Sequence, residues 1–162
     1  MALHIYIDTI PHRQHRYPTV GDYWRPATQR TGSPERLEVR VSDMGNEDYE
    51  FLVAIHELIE EHLTRKHGIS EEAITAFDVA FEATRTPDDN SEPGDALEAP
   101  YRSEHQYATY IEKQLAYALG VNWFEYGEAI DNLFKSSFSP LSALSSSDSV
   151  ENAIKAESDY SN

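Results

Sequence analysis

Two short stretches of the chain alternate between apolar and polar residues. Leu3, Ile5 and Ile7 alternate with His4, Tyr6 and Asp8, and Leu37, Val39 and Val41 alternate with Glu38 and Arg40. A period of two marks a half-buried strand. The two strands are expected to pair as a short ribbon. Residues 11–35 between them hold Pro11, Pro18, Pro26 and Pro34 and read as a loop. A loop that long in a compact domain is expected to have a role.

After Val41 the period changes to that of a helix. Asn46 is a natural N-cap for a helix that runs to about His67 and stops at Gly68. Ser70 caps a second helix, with Glu71 and Glu72 in its first turn, reaching about Arg85 before Pro87. Residues 86–100 form a polar connection. A third helix covers about Ser103 to Leu119 and ends at Gly120, and a fourth covers about Trp123 to Lys135. The pattern predicts a mostly helical α+β protein, in which a two-stranded ribbon packs on three or four helices in one domain over residues 1–135. Residues 136–162 are Ser-rich and read as a disordered tail, with a helical turn or two near Val150 to Glu157.

The first helix contains His56-Glu57-Leu58-Ile59-Glu60. Positions four apart on a helix lie about 40° apart around its axis, so His56 and Glu60 point the same way. Leu52, Ile59 and Leu63 lie near them on the wheel, which places the pair on the apolar stripe. An ionisable pair aimed at a core must be neutralised, hydrogen-bonded or bound to metal. The third helix repeats the pattern, because His105 and Glu112 are seven apart and share its apolar side with Ala108 and Leu115. In the second helix, Asp78 flanks Ile74, Phe77 and Phe81. When such helices pack together, these groups converge in the interior.

The net charge of −16 at pH 7 argues against binding to a phosphate backbone and fits attraction to cations. The chain has no cysteine, so thiol catalysis and Cys-ligated zinc are excluded. Any metal must be held by His, Asp and Glu. Zinc is the first expectation, with manganese, iron or magnesium open. No apolar run is long enough to span a membrane and no signal peptide is evident, so a cytoplasmic protein is expected.

The leading expectation is a metal-dependent hydrolase. His56, Glu60 and His105 would bind the metal, Asp78 or Glu112 would add a ligand or orient His105, and Glu57 would act as general base. One rival uses Glu57, Glu60, Glu61, Asp78 and Glu82 to hold magnesium, in the manner of a MazG-like nucleotide pyrophosphohydrolase. Another is a non-enzymatic acidic protein that binds a host factor. The stretch Pro11 to Pro18, with His12, Arg13, His15 and Arg16, fits a surface network better than an anion clamp.

Several stretches resemble an uncharacterised family of tailed-phage and prophage proteins. They are Ile10-Pro11-His12, Arg16 to Asp22, Val39 to Asn46, Phe51 to Glu60, Glu92-Pro93-Gly94-Asp95 and the segment from His105 to Trp123. The resemblance covers about residues 3–130 and implies a phage context, with the host-cell cytoplasm as location, and little chemistry. A host-protein partner or a homo-oligomer stays open as an expectation. His56-Glu57-Leu58-Ile59-Glu60 also resembles the HExxH helix of minimal zincin metallopeptidases, with Glu60 in place of the second His. That likeness implies His56 and Glu60 as ligands and Glu57 as the base.

Overall fold

The computed structural model describes residues 2–26, 35–86, 89 and 91–137. Of the predicted tail, Ser136 and Ser137 belong to the last helix, and the rest lies outside the described residues. Three strands form one sheet: β1 is Leu3–Ile10, β2 is Gly21–Trp24 and β3 is Glu35–Ser42. Four helices follow: α1 is Glu47–His67, α2 is Glu71–Glu82, α3 is Arg102–Leu119 and α4 is Trp123–Ser137. The protein is mostly helical α+β.

The sheet order is β1-β3-β2. The two strands legible from alternation do pair, and they run parallel, with Ile5 beside Leu37 and Ile7 beside Val39. The third strand, β2, lies within the stretch that composition assigns to a loop. It runs antiparallel to β3, with Gly21 beside Val41 and Tyr23 beside Val39. Its four residues show no alternation because Gly21, Asp22 and Tyr23 are all buried.

The helix ends follow local chemistry. The Asn46 side chain accepts hydrogen bonds from the backbone N–H groups of Asp48 and Tyr49, and Gly68 ends α1 at a positive φ of 76°. The Ser70 hydroxyl accepts from the N–H of Ala73 at the start of α2. Helix α2 ends at Glu82, one turn before the predicted Arg85. Leu37, Val39 and Val41 of β3 are almost wholly buried against Leu52 and Val53 of α1. Helix α1 also packs along α3. A 3-10 turn, Pro93–Asp95, sits against α2 and α3. The polar positions of α1 and α3 that face each other therefore meet below β2 and beside this turn.

Candidate metal centre

Three side chains from two helices meet at one point. His56 Nε2 lies 3.2 Å from His105 Nδ1 and 3.4 Å from Glu60 Oε2. His105 Nδ1 lies 2.9 Å from the same Glu60 oxygen. All three residues are buried. Four ligands about 2.0–2.1 Å from a zinc ion sit about 3.3 Å from one another at the corners of a tetrahedron. The three observed edges are close to that length, so the residues present fit a small divalent ion with a fourth position open.

The surrounding carboxylates orient the rings. His56 Nδ1 lies 2.9 Å from Glu112 Oε2, and the Tyr126 hydroxyl donates to the other Glu112 oxygen. With the proton of His56 on Nδ1, donated to Glu112, the lone pair on Nε2 points at Glu60 and His105. This is the tautomer that a metal ligand needs. On the far side of His105, Glu92 Oε2 stands 3.1 Å from Nε2, and Asp95 Oδ1 stands 3.9 Å away. Glu92 is close enough to pair as an ion but lies off the line of the N–H bond, so Nε2 makes no directed hydrogen bond. Tyr23 donates to the second oxygen of Glu60 at 3.4 Å.

Two glycines let the backbone approach this cluster. A Cβ on Gly94 would stand 2.6 Å from His105 Nδ1, and one on Gly21 would stand 2.7 Å from both Cγ and Cδ of Glu57. Both distances are overlaps, so the 3-10 turn backs onto the His105 ring and β2 backs onto the Glu57 side chain.

Burial and charge act in opposite directions here. Burial would raise the Glu60 carboxyl, but His105 and His56 outweigh it and hold its pKa at about 2. Burial would lower His105, yet Glu60 and Glu92 push it up to about 10. His56 is likewise raised well above its ordinary value, with Glu112 and Glu60 outweighing burial. Glu57 has no hydrogen-bond partner among the described residues. Burial first and the Glu60 charge second lift its pKa well above the carboxylate range.

The cluster opens onto a cavity of about 100 Å³. Asp22, Glu57, Glu60, Glu71, Asp78, Glu82, Glu92 and Glu112 line it, and among the described residues Arg85 is the one lining arginine. Arg85 is itself held by both oxygens of Glu82 at 2.6 Å. Asp78 lies in the same cavity but outside the three-residue group. It accepts from Tyr101 at 2.6 Å and Tyr17 at 3.3 Å, and burial raises it to about 6 against those hydrogen bonds.

Of the residues singled out from sequence, the fold brings His56, Glu60 and His105 to one point and sets Glu57 beside them. It places Glu112 on His56 rather than on His105, and Asp78 on two tyrosines. Glu61 is turned away, against Arg25 at 2.7 Å and Arg65 at 3.2 Å. The basic loop is a brace: Arg16 gives two hydrogen bonds of 2.7 Å to the buried Asp22 carboxylate. Glu92, Tyr126 and Tyr23 touch the cluster and are not selected by sequence reasoning. Glu92 precedes a Pro-Gly turn and has no periodicity to flag it, whereas Tyr126 lies on the buried side of a predicted helix.

Comparison of the chain with known protein families, with curated proteins and with solved structures returns no match. The likenesses to phage proteins and to zincins therefore rest on the quoted residues alone. No helix among the described residues is long and apolar enough to cross a membrane.

Proposed function

We propose that this protein is a metal-dependent hydrolase whose metal, zinc foremost, is held by His56 Nε2, His105 Nδ1 and Glu60 Oε2. The observation that carries this reading is the triangle of ligand atoms, whose edges of 2.9, 3.2 and 3.4 Å suit a tetrahedral ion. A divalent ion there supplies Lewis acidity, which polarises a substrate oxygen and acidifies water. Glu112 holds His56 in the ligating tautomer, and Tyr126 holds Glu112. Glu57 stands in the cavity with no hydrogen-bond partner among the described residues, and its raised pKa makes its carboxylate a stronger base, which suits a general base.

The cavity wall favours one class of substrate. Its carboxylates outnumber its cationic groups even with both histidines charged. A neutral or cationic amide or ester is attracted to such a wall, while a phosphate is repelled. The magnesium pyrophosphohydrolase reading is weaker because Glu61 and Glu82 are committed to arginines.

A second reading has its own support. The raised histidines and the lowered Glu60 describe imidazolium–carboxylate pairs that need no metal, so the cluster would join α1 to α3 as a structural element in a non-enzymatic protein with a host-protein partner.

Zinc titration of chelator-stripped protein by calorimetry separates the two. One zinc per chain, lost in His56→Ala, supports the metal centre, and no binding overturns it. A panel of amide and ester substrates, turned over by the wild type and not by Glu57→Gln, then tests hydrolysis.

A further inference from the structure

Among the described residues, nothing covers the apolar face of the β1 strand along most of its length or pairs with its outer edge. Ile5 and Ile7 lie beside Leu37 and Val39 of β3, so they share the face of the sheet that α1 covers. Leu37 and Val39 are 1% and 0% exposed, yet Leu3, Ile5 and Ile7 are 42%, 46% and 49% exposed. Helix α1 meets β1 near its end, where Thr9 donates to Glu50 at 3.3 Å. Along the rest of β1 the apolar side continues past the helix that should cover it.

The edge is open as well. The carbonyls of Ala2 and Ile10 accept from the N–H groups of Glu35 and Asp43 on the β3 side. In a parallel ladder a residue's N–H and C=O point to the same side, so the backbone groups of Leu3, Ile5, Ile7 and Thr9 point outward. No further strand among the described residues takes them. Eight residues of unbroken register, with no Lys, Pro or bulge, make an unprotected pairing edge.

We propose that two copies of this chain dimerise by antiparallel pairing of β1 with β1 about a two-fold axis at Tyr6. This register is self-complementary. It sets Ile5 opposite Ile7 and Leu3 opposite Thr9 as hydrogen-bonded pairs on the apolar face. On the other face it sets His4 opposite Asp8 in the closer, non-hydrogen-bonded positions. A two-residue slip either way opposes His4 or Asp8 to Tyr6 and loses the His4–Asp8 pairing. Charge distribution permits the contact. Residues 1–45 carry six arginines and five carboxylates, net +1, against −17 for the rest of the chain. The repulsive charge therefore sits on the helical layer and leaves the sheet edge nearly neutral. Pairing would join two three-stranded sheets into one of six and set the two apolar stripes side by side, each shielding the other's flank.

The chain has no cysteine, so one introduced at the axis reports the contact cleanly. Residues facing each other in a non-hydrogen-bonded pair have Cα atoms about 4.5 Å apart, within disulfide range. The wild-type full chain should show twice the chain mass by light scattering at tens of micromolar. The Tyr6→Cys variant should form a disulfide-linked dimer under mild oxidation, while Tyr110→Cys on the exposed side of α3 should not. Ile5→Lys/Ile7→Lys should be monomeric with unchanged helical circular dichroism. His4→Asp should weaken the dimer at least tenfold, and His4→Asp/Asp8→His should restore it. A monomeric wild type would overturn the proposal, and protection of its β1 amides from exchange would then assign the edge to another part of the chain. A dimer that survives the double lysine variant, or in which the Tyr6→Cys variant fails to crosslink, would overturn it too.

Discussion

Gly94 packs directly against the imidazole of His105, so closely that a Cβ on it would stand 2.6 Å from Nδ1, the atom aimed at Glu60 and His56. The smallest side chain thus fixes the position of a ring from outside the ligand set. Gly94→Ala leaves every polar group in place, and the overlap must be relieved by a shift, expected in the ring. A displaced ligand loses geometry rather than chemistry, so zinc affinity should fall at least tenfold while the fold survives. Calorimetry alongside thermal melting checks this. Unchanged affinity would show that the turn yields instead of the ring.

Removal of ligands should differ from removal of the base. His56→Ala and His105→Ala should each abolish stoichiometric zinc, whereas Glu57→Gln should retain it, because Glu57 lies outside the triangle and faces Gly21. Elemental analysis of the three purified variants reads this directly. Equal zinc loss in Glu57→Gln would make Glu57 a ligand.

Glu112 touches His56 and lies outside the triangle of ligand atoms. Glu112→Gln should keep the metal but weaken it by roughly 10- to 100-fold, the usual effect of losing a partner that orients a ligand. Tyr126→Phe should weaken it less, since it removes one hydrogen bond to Glu112. Competition against a zinc chelator of known affinity ranks the three proteins. A Glu112→Gln protein that binds as tightly as wild type would remove Glu112 from the site.

The pH dependence of the metal-free protein follows from the directions of its shifts. His105 is raised to about 10 in the folded protein, above an unfolded value near 6.5. Its contribution is fully present below pH 6.5 and is lost as pH rises through about 10. Glu60, lowered to about 2, contributes above its unfolded value near 4.5, and this is lost as pH falls through about 2. Chelator-stripped protein should therefore melt lower at pH 9.5 than at pH 7. Zinc competes with those protons, so its stabilising effect should grow over the same interval. Melting curves with and without zinc test both slopes. A stripped protein more stable at pH 9.5 than at pH 7 would contradict the ion-paired histidines.

The features legible in the sequence are those that short-range chemistry determines. Asn46 and Gly68 bracket α1 and Ser70 starts α2, because caps act on backbone groups a few residues away. The apolar stripes marked His56, Glu60 and His105 as inward-facing, since helix geometry fixes each azimuth within its own helix. An azimuth says nothing about which residue it meets across the interface. The packing of α1 along α3 decides that Glu112 orients His56 instead of His105, whereas Glu61 is taken by Arg25, just after β2, and by Arg65 one turn on along α1. Pro93-Gly94-Asp95 reads as a turn that aims His105 at the first helix, but no period shows that Gly94 backs onto the ring or that Glu92 stands beside it, and β2 escapes alternation because both of its faces are buried. Alternation also could not give the direction in which β1 joins β3. The tertiary structure alone brings these groups together, because contacts between distant segments are set by the shape into which all the elements pack.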